Sequence, residues 1–207
     1  MSNTLIVVHS VRDWAPYYPS EHVIAFADYV TGTYPQTATR MRIINLCRTF
    51  GYLSEGYYCS LLAEARGHKF IPSVQSLSDL SRRALYRIPL NDFSESVYKF
   101  LDQADKGERV VLRSFFGRTL EERYGDLARK LFEVFPCPIL EITLQHRKRW
   151  EIAALRPQSP RDLSESEESR FAAALDEFSR KVWRSKQKKK ISRYDLAILC
   201  DPAEKLP

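Results

Sequence analysis

The chain has 207 residues, 44% of them hydrophobic and including 11 Phe, 11 Tyr and 3 Trp, which excludes a disordered chain and provides for a buried core. Its net charge of +6 is local: residues 179–193 hold eight Lys and Arg and no acid, and removing them takes the balance to −2, so a chain-wide basic face for nucleic acid is excluded. No apolar run has the length of a membrane span and no leader-like segment opens the sequence, so a cytoplasmic protein without membrane contact is expected.

"TLIVVHS" (4–10) reads as a buried strand, being short, apolar and β-branched. A loop with Trp14, Pro16 and Pro19 follows, and "HVIAFADYV" (22–30) reads as a second strand stopped by Thr31-Gly32. "RMRIINLCR" (40–48) reads as a third, because Ile43, Ile44 and Leu46 precede the turn-rich "TFGYLSEG". A helix is predicted over 57–66, with Tyr57, Leu61, Leu62 and Ala65 on one face and Cys59, Ala63 and Gly67 as a row of small residues. Gly67 stands where a left-handed residue ends a helix. "HKFIPS" then returns as a strand, so 42–73 forms a β-loop-α-β unit, the signature of a parallel pair.

Further along, 76–86 suggests a short helix with Leu77, Leu80 and Ala84 inward, and 94–104 another. "ERVVLRSFF" (108–116) is a strand. Thr119 with Glu122 has the spacing of a capping box, and Tyr124, Leu127, Leu131 and Phe135 form a buried helical stripe after it. "PILEITL" (138–144) and "WEIAALR" (150–156) read as an antiparallel hairpin. Ser164 with Glu167 opens the last helix, whose Phe171, Leu175, Phe178 and Val182 share one face. "KQKKK" breaks that pattern, and "YDLAILCDP" (194–202) is a strand with no evident sequential partner. The expected architecture is α/β: a single mixed, partly parallel sheet flanked by helices. The expected organisation is a domain over 1–185, a basic linker over 186–193, and over 194–207 the first strand of a following module.

Two turns offer chemistry. Gly51 and Gly56 have the glycine spacing of a phosphate-binding loop, but Tyr57-Tyr58 stand where Lys-Ser/Thr would meet phosphate and Mg²⁺. What remains at Gly56 and Tyr57 is a helix N-terminus that could face an anion; otherwise the glycines serve turns and close packing. "RSFFGRT" (113–119) reads as a strand-to-helix turn, with Arg113 ending the strand, Gly117 making the turn and Arg118 at the helix start. Two guanidiniums there would suit a carboxylate or phosphate; otherwise Arg113 pairs with a structural acid and Arg118 is solvated. His68 follows a helix end and reads as structural, and His9-Ser10 lacks a nucleophile elbow. Cys47, Cys59, Cys137 and Cys200 stand singly in apolar contexts and read as buried free thiols. No metal site is expected, because no closely spaced Cys/His pairs occur.

The stretches "NLCRTFGYLSEGYYCSLLAEARGHKFIPS", "FFGRTLEERYGDLARKLFEVFPCPIL" and "RYDLAILCDPAEKLP" together resemble the N-terminal domain of RimK-like ATP-grasp ligases, over roughly residues 22 to 207. The resemblance implies a multidomain enzyme. Its ATP-grasp module would use ATP and Mg²⁺ to phosphorylate a carboxylate, and an amine would then displace the phosphate to form an amide or peptide-like bond. The nucleotide clamp and metal carboxylates belong to that module, so no catalytic residue and no cofactor are assigned to this chain. The expected partners are the downstream module and a small-molecule, peptide or carrier substrate. Two rival readings stand beside it: a transferase or hydrolase with its site at the strand C-terminal ends, which a converged cluster of His68, Tyr57 or Arg118 with an acid would favour, and a nucleic-acid-binding module using residues 180–193.

Overall fold

The structure is a computed structural model that describes residues 4–14, 23–34, 41–82, 109–146 and 150–180. The predicted helix at 94–104, the linker and the strand at 194–202 lie outside the described residues.

Four short strands, β1 (Thr4–Val8), β2 (Val23–Ala25), β3 (Arg42–Leu46) and β4 (Lys69–Ile71), form a parallel sheet in the order β2-β1-β3-β4. All five residues of β1 are buried, as expected of a strand covered on both faces. The pleat divides the side chains. Leu5, Val7 and Ile43 pack with Tyr29, Cys59 and Ala63 on one face. Ile6, Val8, Ile44 and Leu46 pack with Phe115, Ile139 and Phe171 on the other.

Helices α1 (Phe26–Thr31) and α2 (Glu55–Ala65) lie in the connections of this sheet, and α3 (Val74–Ser81) follows its last strand. The strand expected over 22–30 stops at Ala25 and becomes α1. An apolar run of this length suits either state. The outcome follows from Tyr29, fully buried and stacked on Tyr34, and from Gly32, whose φ of 77° closes the helix. The predicted β-α-β unit forms, with Ile43 and Ile44 registered on Phe70 and Ile71, and Gly67 in the left-handed conformation (φ 67°).

The α/β class with partly parallel pairing stands, but the strands divide into two sheets where a single one was expected. β5 (Arg109–Phe115), β6 (Ile139–His146) and β7 (Trp150–Pro157) pair antiparallel in that order. Their ladders run only among themselves; Phe115 and Ile139 meet the parallel sheet through side-chain packing in its core. A separate apolar cluster explains the division: Leu112, Leu140, Ile142, Trp150 and Leu155 pack with Tyr124, Leu127, Leu131 and Phe135. The last four are the predicted stripe, on and beside α4 (Gly125–Val134).

The capping box at Thr119 does not form. Thr119 is buried and its hydroxyl donates to the Glu121 carbonyl, and a 3-10 turn over Glu122–Tyr124 precedes α4. The box at the last helix, α5 (Glu165–Arg180), does form on one side: Glu167 accepts from the Ser164 backbone N–H at 2.9 Å. No described helix is long and apolar enough to cross a membrane.

Candidate functional site

The 113–119 stretch is the tip of a tight hairpin and not a strand-to-helix turn. Phe116 (φ 49°) and Gly117 (φ 81°) both lie in the left-handed region. The Phe115 N–H donates to the Arg118 carbonyl at 2.6 Å and the Arg118 N–H to the Phe115 carbonyl at 2.9 Å. This is the backbone of a two-residue turn with both central φ angles positive. Glycine is required at 117 twice over, since a Cβ there would also lie 3.0 Å from the Phe132 Cβ. The next helix, α4, begins only at Gly125, so Arg118 does not stand at its first turn in the chain.

The hairpin tip opens on a groove of about 830 Å³ between α4 and α5. Phe116, Phe132 and Phe178 form its floor, with Phe116 and Phe178 stacked at 4.5 Å. Arg118, Arg123, Arg129 and Arg170 rim it. Each guanidinium already has a partner: Arg118 pairs with Glu177, Arg123 with Glu121 and Arg129 with Asp126, and Arg170 donates to the Thr119 carbonyl at 3.0 Å. The groove combines an aromatic floor with a rim that carries the arginines and the acids Glu122, Asp126 and Glu133, a combination that accommodates an amphiphilic molecule or a chain segment.

Gly117 and Arg118 line this groove; Arg113, Gly56 and Tyr57 do not. Arg113 donates to Glu167 at 2.8 Å and to the Asp162 carbonyl at 3.2 Å, tying β5 to the start of α5. Burial pushes the Glu167 carboxyl up, but the hydrogen bonds from Ser164 and the Arg113 guanidinium outweigh it and hold the group below its ordinary range.

Gly56 sits on α2, and a Cβ there would lie 2.4 Å from the Thr49 carbonyl oxygen and 2.8 Å from the Phe50 ring. Its N–H donates to that same Thr49 carbonyl. The glycine is thus required by close approach of the Thr49 carbonyl and the Phe50 ring, and its donor is spent within the chain. The Tyr57 ring meets Tyr52 edge-on at 5.3 Å. The residues of this turn do not fit a nucleotide triphosphate, because the lysine and hydroxyl are absent and the Gly56 N–H is engaged.

The buried face of α2 is Gly56, Cys59, Ser60 and Ala63, the small residues; Leu61 is exposed and Tyr57 only half-buried. The expected Tyr57–Leu61–Ala65 face is corrected on this point. The reason is Asn45, a residue that the apolar pattern of β3 conceals. Fully buried, it donates to the Gly56 carbonyl at 2.6 Å and to Ser60 Oγ at 3.0 Å, and accepts from the Cys47 N–H. Ser60 passes the network on to the Pro72 carbonyl. Polar satisfaction in the interior selects the helix face.

His68, Tyr57 and Arg118 do not converge. His68 Nδ1 lies 3.1 Å from the Tyr29 hydroxyl, and burial, with the nearby Arg66 charge, lowers its pKa. Cys47, Cys59 and Cys137 are buried free thiols; burial pushes Cys137 up to about 12, far from a reactive thiolate. Among the described residues no cluster of His, Cys, Asp and Glu is arranged to hold a metal ion. Of the basic run at 180–193, only Arg180 is described, and it pairs with Asp176.

Beyond the C-terminal ends of the parallel strands stand two side-chain pairs that the sequence reading missed. His9 Nδ1 hydrogen-bonds to Glu55 Oε2. Arg48 holds Asp13 in a two-pronged contact, Nε to Oδ2 at 2.8 Å and Nη2 to Oδ1 at 2.5 Å. The separations of 46 and 35 residues leave no local signal.

Comparison with known families gives a match over residues 26–174, more than half of the chain, to a family model described as the RimK-like ATP-grasp N-terminal domain. No curated protein matches the chain.

Proposed function

The chain belongs to the family of RimK-like ATP-grasp N-terminal domains, and from that premise we propose that it is the accessory, substrate-presenting part of an ATP-dependent carboxylate–amine ligase. The family match carries this reading. On it, an ATP-grasp module downstream in the same polypeptide supplies the ATP, the Mg²⁺ and the amide-forming chemistry, and the domain works inside the cell. The turn before α2 supports a role without nucleotide handling, since its donor set does not fit a triphosphate. The groove at the hairpin tip supports a presenting role: Gly117 sets its mouth, the three phenylalanines give an apolar floor, and Arg118 on the rim can exchange Glu177 for a carboxylate of the molecule presented.

The reading is tested in a protein in which this chain precedes an ATP-grasp module. There, Arg118→Ala is expected to raise the KM for the acceptor by about threefold to tenfold, a charge-assisted contact discounted for partial exposure. The KM for ATP is expected to stay unchanged. Ligation that proceeds equally well with the entire domain deleted would contradict the proposal.

A further inference from the structure

We propose that the crevice between the C-terminal ends of β1 and β3, bounded by His9, Asp13, Arg48 and Glu55, binds a small carboxylate that carries a hydrogen-bond donor on the neighbouring carbon. The inference concerns a different place from the groove at the hairpin tip and does not rest on the ligase reading.

Topology supplies the location. In the order β2-β1-β3-β4, the chain leaves β1 toward β2 on one side and β3 toward β4 on the other. The two connections diverge, and in open parallel sheets the opening left between such strands is where ligands gather. The four side chains stand at this opening. His9 follows β1 directly, and Asp13 ends the 3-10 turn after it. Arg48 follows β3, and Glu55 is the first residue of α2. Two connections, the one leaving β1 and the one joining β3 to α2, thus deliver charged groups to the same opening.

Both pairs bridge the same two connections, His9 to Glu55 and Asp13 to Arg48. The Asp13 carboxyl is held low chiefly by its hydrogen bond from Arg48, with the nearby His9 adding to the effect. The Arg48 guanidinium is held up chiefly by Asp13, with Glu55 adding. Partly exposed ion pairs contribute little to stability, so an assembly of four such groups is poorly explained by stability alone.

Their chemistry defines the ligand. The Glu55 carboxylate is hydrogen-bonded to Nδ1 of His9 through Oε2 and keeps acceptor capacity on its second oxygen. Asp13 occupies Nε and Nη2 of Arg48, and the Nη1 edge of the guanidinium remains. About a third of the His9 and Arg48 side chains, at 35% and 36%, is open to solvent. The crevice therefore presents a guanidinium edge for an anionic oxygen pair beside the Glu55 carboxylate for a donor. A carboxylate with an adjacent hydroxyl or ammonium group satisfies both, and a plain carboxylate satisfies only the first. The loop joining Arg48 to Glu55 carries Tyr52 and Leu53, 78% and 57% exposed, an apolar surface for the rest of such a molecule.

The test is an NMR titration of the 207-residue chain, observing the His9 imidazole and the Arg48 Nε–H. The probes are L-lactate (hydroxyl), L-alanine (ammonium) and propionate (no donor). L-Lactate or L-alanine is expected to shift both signals saturably, and propionate to bind about tenfold more weakly, the difference telling which donor the crevice takes. Arg48→Gln and Glu55→Gln should each weaken binding about tenfold, while Arg161→Gln, far along the chain, should not. Because the wild-type His9 signal is itself a readout, the outcome does not depend on any variant folding. Absence of a saturable shift with all three probes overturns the proposal. So does propionate binding as tightly as the other two, or full affinity in Arg48→Gln. None of these results bears on whether the chain serves a ligase, which is read from the acceptor KM in the joined protein.

Discussion

Two turns in this protein look alike as sequence and do opposite things in space. "FGYLSEG" before α2 and "FFGRT" after β5 each set glycine beside aromatic residues at the end of a strand. At the first, the Thr49 carbonyl and the Phe50 ring close onto Gly56, and the carbonyl takes its N–H. At the second, Gly117 supplies a left-handed backbone that reverses the chain and leaves Arg118 on the rim of an open groove. The difference teaches that a glycine between strand and helix is not by itself a ligand cradle. What decides is whether the donors around it are already spent.

Substitutions sharpen the contrast. Gly56→Ala drives a methyl group to 2.4 Å from a backbone oxygen that has little room to move, and should destabilise the chain by about 3 kcal/mol, read as a lower urea midpoint. Asn45→Ala strips the same corner of its polar bracket. It leaves the Gly56 carbonyl and the Cys47 N–H without their present partner, at a cost of about 2 kcal/mol by the same measurement. Gly117→Ala should cost about 1–2 kcal/mol, from the positive φ and the Phe132 contact together. Were Gly117→Ala to cost more than Gly56→Ala, the assignment of tight packing to one turn and backbone sign to the other would be reversed.

The smallest effect concerns pH. Glu167 is depressed in the folded state, so its contribution is fully present above its ordinary value of 4.5 and is lost as pH falls through the lower folded value. Denaturation midpoints followed from about pH 6 to about pH 3 should fall less steeply in Glu167→Gln than in the wild type. Parallel pH profiles would show that the link from Arg113 to the start of α5 contributes nothing to acid stability.

Much of this was legible in the chain. The β3-α2-β4 unit announced itself through an apolar strand, a helix of small residues and Gly67, because each signal is local. So did the stripe from Tyr124 to Phe135. Sheet membership was not legible: a strand pattern states that a segment is extended and not which ladder it joins, and β5, β6 and β7 proved to have a core of their own. The face of α2 was not legible because apolar spacing favours the large side chains, whereas a buried Asn45 requires Gly56 and Ser60 to face inward. Of the candidate site residues, Gly117 and Arg118 meet at one groove, while Arg113, Gly56 and Tyr57 are engaged elsewhere. His9 and Glu55 could not be joined by reading, since only the folded sheet brings them together.

The central claim is that the turn entering α2 is closed upon itself and does not handle nucleotide. Titration of the 207-residue chain with Mg²⁺ and ATP, following the Gly56 backbone amide by NMR, tests it most directly. The account predicts that this resonance stays in place throughout the titration. A saturable, Mg²⁺-dependent displacement of the Gly56 amide would contradict it.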